Sequence, residues 1–276
     1  MWIDTHCHLD ACEFGADALP VAARSRQAGV SMIVIPAVER GNFNAVAHLA
    51  ATAPNASYAL GIHPVCVPQA NEADLLTLRA SVEAALADPR FVAIGEIGLD
   101  FFIPMLCEPA MREKQVHFFR AQLRIARDFD LPVLMHVRRS QDQVLKHVRQ
   151  IAPAGGIAHA FNGSFQQAQA YIDLGFRLGF GGAMTFTRAL QIRRLATTLP
   201  MDAIVLETDA PDISPAWVHP ARNSPEQLPA IGAALADMRA MMPQAVAAAT
   251  SRNALAALPR LAALLPTFLP ILLPTL

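Results

Sequence analysis

The chain has 276 residues, and its 22 Lys and Arg against 23 Asp and Glu give a formal net charge of −1. Hydrophobic residues make up 53% and charged residues only 16%, a balance that supports a large core and excludes an intrinsically disordered chain. The near-zero charge argues against a protein that coats long polyanions, although a local phosphate site stays possible. The length fits one α/β barrel of about 250 residues as well as two smaller domains.

Targeting signals and membrane spans are not evident in the sequence. The N-terminus runs directly into Asp4, His6 and His8, which excludes the apolar core of a signal peptide. The tail at 261–276 is apolar but short, and its prolines disfavour a spanning helix. Four cysteines without Cys-x-x-Cys spacing are typical of free thiols. We therefore expect a cytoplasmic protein that has no membrane contact and whose tail packs on the main domain.

Short apolar runs alternate with amphipathic stretches, which indicates repeated strand and helix units. The predicted strands are Trp2–His6, Met32–Val38, Tyr58–His63, Val92–Leu99, Pro132–Val137, Gly156–Phe161, Arg177–Gly181 and Ala203–Thr208. The predicted helices are Asp17–Ala28, Asn44–Ala53, Glu72–Ala87, Arg112–Phe129, Gln141–Ile151, Gln166–Leu174, Arg188–Thr198, Pro225–Ala240 and Pro243–Leu258. Eight such units favour the α/β class and a single (β/α)8 TIM barrel over residues 1–260. A doubly wound open sheet is the competing arrangement, which hydropathy alone does not separate from the barrel.

Polar side chains interrupt the apolar strands near their carboxyl ends. His6 and His8 are two residues apart, so an extended chain directs both imidazoles to the same face. Four further residues lie at or near the ends of strands four, five, six and eight: Glu96, His136, His159 and Asp209. Because the carboxyl ends of barrel strands meet at one mouth, these six side chains predict a site for two divalent cations. Asp209 is also the expected acceptor for the proton of a metal-activated water.

The other histidines differ in their expected positions. His48, His117 and His147 fall on amphipathic helices, where a surface position is the simplest interpretation. His63 ends predicted strand three, so we expect it at the same mouth as a substrate contact rather than a ligand. His219 lies in the loop after strand eight, where a contact at the rim and a solvated side chain are both open.

Six short motifs follow one another along the chain. They are Asp-Thr-His-Cys-His-Leu at 4–9, Gly-Ile-His-Pro at 61–64, Gly-Glu-Ile-Gly-Leu-Asp at 95–100, Leu-Pro-Val…His-x-Arg at 131–138, His-x-Phe-x-Gly at 159–163 and Glu-Thr-Asp-x-Pro at 207–211. In this order they resemble the TatD family of metal-dependent hydrolases, and the resemblance runs from residue 3 to about 258.

The resemblance implies an amidohydrolase-type (β/α)8 barrel and a metal-dependent deoxyribonuclease, often a 3′–5′ exonuclease. It implies as metal ligands His6, His8, Glu96, His136, His159 and Asp209, with Glu96 bridging two ions. It also suggests a substrate role for His63 and for the loop that starts at Arg222. Phe101 and Phe102 stand where a Tyr is common, and Asn162 stands where Thr or Ser is common. These departures lie beside the mouth and bear on substrate choice.

The leading hypothesis is a deoxyribonuclease that acts on nucleic-acid ends, with Asp209 and Glu96 as catalytic residues. Arg138 belongs to a small positive rim at the mouth, which fits single-stranded DNA better than a long duplex. Zn, Mn or Mg fits the ligand types. The chain is expected to be a monomer or a weak homo-oligomer.

Two other functions are open. The first is an ester or amide hydrolase, such as a D-aminoacyl-tRNA deacylase, in which Glu207 or Asp100 would bind the α-amine. The second is a non-catalytic metal-binding module. A closed structural site normally has four protein ligands, whereas six are predicted here, which favours an open catalytic centre.

Overall fold

The computed structural model describes residues 1–265. Its strands are β1 (Trp2–Asp4), β2 (Val30–Pro36), β3 (Ala56–Leu60), β4 (Phe91–Asp100), β5 (Val133–Arg138), β6 (Gly156–Ala158), β7 (Phe176–Phe180) and β8 (Ile204–Leu206). Each strand pairs in parallel with the next one along the chain, from β1 to β8. The backbone N–H of Thr5 donates to the Leu206 carbonyl at 3.1 Å and joins the two ends of the sheet. This sequential order confirms the (β/α)8 TIM barrel and excludes the doubly wound sheet, whose strand order reverses.

Helices alternate with the strands around the outside of the barrel. They are α1 (Ala18–Gln27), α2 (Phe43–Thr52), α3 (Glu72–Ala85), α4 (Pro109–Asp128), α5 (Gln141–Ile151), α6 (Phe165–Asp173), α7 (Leu190–Thr198), α8 (Leu228–Arg239) and α9 (Pro243–Ala257). Local sequence signals mark the starts of several of these helices. Asn71 and Ser164 accept from backbone N–H groups at the starts of α3 and α6, and Pro109 occupies the first turn of α4. The predicted helices agree with these to within a few residues.

The strands are apolar because helices cover one side and the barrel interior the other. All ten residues of β4 are buried, including the two carboxylates Glu96 and Asp100. Predicted strands one, two, three, six and eight run two or three residues beyond the observed ends. The chain turns into the left-handed region at Ala160, within the extension of strand six, and at Asp209, one residue after that of strand eight, with φ of 45° and 55°. The polar ends therefore leave the sheet rather than extend it.

The carboxyl-terminal part of the chain closes the amino-terminal end of the barrel. Leu258 and Leu261 are buried in a cluster with Met32 and Val34 of β2. The predicted domain boundary at residue 260 stays a prediction, and residues 266–276 of the apolar tail lie outside the described residues. No helix within residues 1–265 has the length and apolar character needed to cross a bilayer.

Candidate metal centre

A cavity of about 890 Å³ opens at the carboxyl ends of the strands. The residues that line it include five of the six predicted ligands, namely His8, Glu96, His136, His159 and Asp209. The sixth, His6, is fully buried, and its ring stacks on that of His159 with 3.9 Å between centroids. The fold therefore brings all six predicted ligands together at the end of the barrel where barrel enzymes have their active sites.

The Glu96 carboxylate stands at the centre of the cluster, and its two oxygens face different sets of imidazoles. Oε2 lies 3.1 Å from His6 Nε2 and 3.3 Å from His8 Nε2. Oε1 lies 3.1 Å from both His136 Nδ1 and His159 Nε2. A carboxylate with one oxygen towards each of two nitrogen groups has the arrangement needed to bridge two cations.

Asp209 completes the side that contains His6 and His8. Its Oδ1 lies 3.6 Å from His6 Nε2 and 3.7 Å from His8 Nε2. Donor atoms held about 2.0–2.2 Å from a tetrahedral ion are about 3.3–3.6 Å apart. The observed separations of 3.1 to 3.7 Å are close to that spacing. Nitrogen and carboxylate donors at these distances therefore fit divalent cations, while the number and identity of the ions stay predictions.

His136 and His159 differ in what holds the second ring nitrogen. His136 Nε2 donates to Asp100 Oδ2 at 3.0 Å, which leaves Nδ1 free to bind a cation. Burial raises the pKa of Asp100, but the bonds from His136 and the following backbone N–H groups outweigh it and bring that pKa to about 2. His159 Nδ1 is buried without a hydrogen-bond partner and lies 3.7 Å from Glu207 Oε1.

His63 lies beside the same carboxylate, as its predicted position requires. Its Nε2 is 3.3 Å from Glu96 Oε1, and it forms a group with Glu96 and His136 that can hold an ion. However, the Val65 backbone N–H donates to His63 Nδ1 at 3.1 Å. A neutral imidazole that accepts at Nδ1 carries its proton on Nε2, and a protonated nitrogen does not ligate a metal. This tautomer favours His63 as a hydrogen-bond donor rather than a metal ligand.

Burial and neighbouring charged groups shift the pKa values of the predicted ligands. Burial lowers the pKa of His6 to about 3, and the neighbouring His159 adds to the effect. Burial acts in the same direction on His8, but the Glu96 and Asp209 carboxylates outweigh it and raise that pKa to about 9. Burial raises the pKa of Asp209 to about 6. Burying several ionised carboxylates together is costly without compensating positive charge, which bound cations would supply.

A support that sequence reasoning missed lies under the ligands. Asp4 is fully buried, and its carboxylate accepts from the Thr208 hydroxyl at 2.6 Å and from the His6 backbone N–H at 3.3 Å. The buried Asn223 side chain donates to the carbonyls of Thr208 and Asp212 at 2.8 and 2.9 Å. These bonds fix the backbone on both sides of Asp209. A carboxylate inside the apolar first strand was the available sequence signal.

Arg138, a predicted substrate contact, lines the cavity together with Phe102 and Arg139. The guanidinium carbons of Arg138 and Arg139 lie 3.8 and 4.6 Å from the centre of the Phe102 ring. Phe102 is 42% exposed. This wall of the cavity therefore offers an aromatic face and two positive charges.

Arg222, the other predicted substrate contact, is absent from the residues that line the cavity. Its guanidinium donates to the Glu13 carbonyl at 2.7 Å and to the Asp17 carboxylate at 3.1 Å. It also packs over the Phe14 ring at 4.5 Å. These contacts tie Arg222 to the loop after β1, and its contact with substrate stays a prediction.

The remaining histidines lie outside the cluster. His48 and His117 are exposed, as predicted, and His117 pairs with Glu72 at 2.8 Å. The surface interpretation is wrong for His147, which is buried and packs edge-on to Phe119. His147 lies on the buried face of α5. The prediction failed because one polar residue on that face leaves the apolar pattern of the helix unchanged. His219 is exposed and contacts Phe186.

Comparisons with known proteins identify the family. A family model described as TatD-related DNase matches residues 3–259. An uncharacterized metal-dependent hydrolase of Escherichia coli, YjjV, is 37% identical over 91% of this chain and 95% of its own length. The crystal structure of YjjV superposes with a TM-score of 0.87 at 35% identity, covering 94% of this chain and 98% of that one. A protein of Erwinia billingiae named 3′-5′ ssDNA/RNA exonuclease TatD is 30% identical over 91% of this chain and 96% of its own. The chain belongs to the TatD family of metal-dependent hydrolases.

Proposed function

We propose that this chain is a metal-dependent deoxyribonuclease that removes nucleotides from single-stranded DNA in the 3′–5′ direction. The observation that carries this proposal is the Glu96 carboxylate between two sets of donors, beside a wall that is aromatic and positive. The Erwinia billingiae relative, named as a single-strand exonuclease, supports the same substrate class.

Two divalent cations of Zn, Mn or Mg would share Glu96 in this centre. His6, His8 and Asp209 would hold one of them, and His136 and His159 the other. When bound, such ions acidify a water molecule and neutralise charge on a phosphodiester. Asp209 has 14% of its side chain exposed and lies on the cavity wall, where it can take the proton of the attacking water.

The cavity wall supplies the substrate contacts. His63 can donate from Nε2 to a phosphate oxygen, because its Nδ1 is occupied by the Val65 N–H. Arg138 provides positive charge for the same phosphate, and the exposed face of Phe102 can stack on a base. Stacking of this kind requires an unpaired base, which favours a single-stranded end over duplex DNA.

The test is time-resolved digestion of 5′-labelled single-stranded DNA with protein stripped by a chelator and resupplied with Mg²⁺, Mn²⁺ or Zn²⁺. We expect a ladder that shortens from the 3′ end, depends on the ion and is lost in Asp209→Asn. Asp212→Asn is the matched control. Asp212 lines the same cavity, but within residues 1–265 it forms no ion pair with a predicted ligand. Absence of cleavage with every ion, in protein shown to have bound metal, would contradict the proposal.

One observation favours a second candidate, hydrolysis of an ester such as that of D-aminoacyl-tRNA. Glu207 lines the cavity, and its buried Oε2 has no hydrogen-bond partner, so it could accept from an α-ammonium group. Asp100, the other carboxylate considered for this role, is already bonded to His136. Release of the amino acid from acylated tRNA, lost in Glu207→Gln while DNA is not cleaved, would establish this function instead.

A further inference from the structure

A second concave surface lies on the outside of the barrel, beside the catalytic cavity. It encloses about 490 Å³ and is lined by Arg112, Arg120 and Arg124 of α4, with Phe101 and Gln143 at its sides. We call these three arginines the α4 arginine row. Glu113 and His117 also line the surface, and His117 is paired with Glu72 outside it.

The α4 arginine row follows the periodicity of the helix. Residues 112, 116, 120 and 124 are four apart, so they form one stripe in which successive positions rise about 6 Å. The row therefore extends over about 18 Å, from the first turn of α4 to the turn before its last. Val116 takes the one stripe position without a charge, and the buried residues of α4, such as Phe119 and Leu123, pack on the barrel directly beside this stripe.

The row is not neutralised by neighbouring carboxylates. Among residues 1–265, no Asp or Glu oxygen lies within 4 Å of the three guanidinium groups, whereas the exposed Arg79 and Arg127 both pair with Asp128. The whole chain has a net charge of −1, so a row of unpaired arginines is a local excess rather than a general property. A concave positive surface of this kind attracts polyanions.

The row is continuous with the wall of the catalytic cavity. Phe101 and Phe102 are consecutive, yet Phe101 lines the outer surface and Phe102 lines the cavity. The Arg112 guanidinium packs over the Phe101 ring at 4.2 Å, and Arg138 packs over Phe102 at 3.8 Å. A DNA single strand whose end occupies the cavity would therefore pass directly from Phe102 and Arg138 to Phe101 and Arg112.

We propose that the α4 arginine row binds the backbone phosphates of the single strand that extends beyond the catalytic cavity. The inference rests on the proposed deoxyribonuclease function and adds an extended binding site to it. Contacts to phosphates carry no base information, so the row would increase affinity for long strands of any sequence. An acidic protein segment would satisfy the same charges, but the continuity with the cavity wall favours the substrate strand.

The test measures binding of a phosphorothioate single strand, which resists hydrolysis, to the metal-loaded enzyme at several salt concentrations. The variant is Arg120→Gln with Arg124→Gln, which leaves the contact of Arg112 with Phe101 in place. The matched control is Arg26→Gln with Arg252→Gln, since both of these residues are exposed and line neither surface. The logarithm of the binding constant falls linearly with the logarithm of the salt concentration. Loss of two phosphate contacts should make that slope shallower by about 1.4. Over a fourfold increase in salt, the wild type should therefore lose about 7-fold more affinity than the variant.

A dinucleotide has a single internucleotide phosphate, which the catalytic cavity would hold, so its turnover tests the proposed catalytic function separately. Weaker binding of the long strand in the row variant, with the control pair and dinucleotide turnover unchanged, would support the inference. Equal binding by the row variant and the control pair would overturn it. A failure to cleave any nucleotide, combined with row-dependent binding of the strand, would overturn the catalytic proposal alone. Competition by poly-glutamate as strong as that by DNA of equal charge would assign the row to an acidic protein and overturn the inference.

Discussion

The Thr208 hydroxyl donates to the Asp4 carboxylate at 2.6 Å, and both residues are fully buried where the last strand of the barrel meets the first. The Thr208 backbone N–H donates to the other Asp4 oxygen at 2.9 Å. One carboxylate therefore holds both sides of the junction, two residues before His6 and four residues before His8. The positions of these two predicted ligands relative to Asp209 depend on this bond.

Substitution of Thr208 by Val should lower the free energy of unfolding by about 1–3 kcal/mol, because it leaves a buried Asp4 oxygen without its hydroxyl partner. Denaturant unfolding of the metal-free protein measures the loss. Thr77→Val is the control, since the Thr77 hydroxyl is exposed on α3 and bonds only within its helix, and a change within about 0.5 kcal/mol is expected there. An equal, small effect in both variants would show that the junction does not depend on this bond.

Gly179 of β7 has no room for a side chain, because a Cβ there would overlap the Glu207 carboxylate. Gly179→Ala should therefore destabilise the protein by about 1–3 kcal/mol and move Glu207. The Gly179→Ala, Glu207→Ala double variant should lose less stability than the sum of the two single changes, since it removes the overlap. Gly41→Ala is a tolerated control, as its nearest neighbour is at an ordinary contact distance of 3.5 Å. Strict additivity of the two changes would contradict the overlap.

His136 and His63 both face Oε1 of Glu96, and their substitution should have different effects on the metal content of the protein. We expect His136→Asn to lower bound metal from two ions per chain to one, because Nδ1 faces Glu96 while Nε2 is fixed by Asp100. His63→Asn should keep both ions and instead raise KM or lower kcat. Elemental analysis after dialysis in limiting metal measures the difference, with the exposed His48→Asn as control. Loss of an ion from the His63 variant would identify it as a ligand.

Removal of the Phe102 ring from the cavity wall should weaken substrate binding and leave the metal content unchanged. Phe102→Ala should weaken binding of a phosphorothioate single strand by about 5- to 150-fold, the range for loss of one stacked base. Met105→Ala is the control, because Met105 is exposed in the same loop and does not line the cavity. Unchanged affinity in the Phe102 variant would show that the bases do not contact this ring.

The barrel was predictable from the sequence because strands covered on both sides must be apolar, and runs such as Ile204–Leu206 are. The convergence of the six predicted ligands was predictable for a related reason, since charged or imidazole side chains in such runs are rare without a function. The contacts of individual side chains were not predictable. Hydropathy did not indicate that Arg222 would bond to Asp17 rather than line the cavity, or that His147 would be buried. The Asp4–Thr208 pair spans 204 residues of sequence, a distance over which no local pattern carries information.

The same junction has a consequence for biosynthesis. Asp209 and its supporting Asn223 leave the ribosome long after His6 and His8, and the first strand cannot close the ring until the eighth has been made. Nascent fragments that end before Asp209 lack one of the predicted metal ligands, however well their first strands have formed. Hydrolytic activity should therefore appear only when translation is nearly complete, so that a growing chain on a polysome is inactive until the barrel can close.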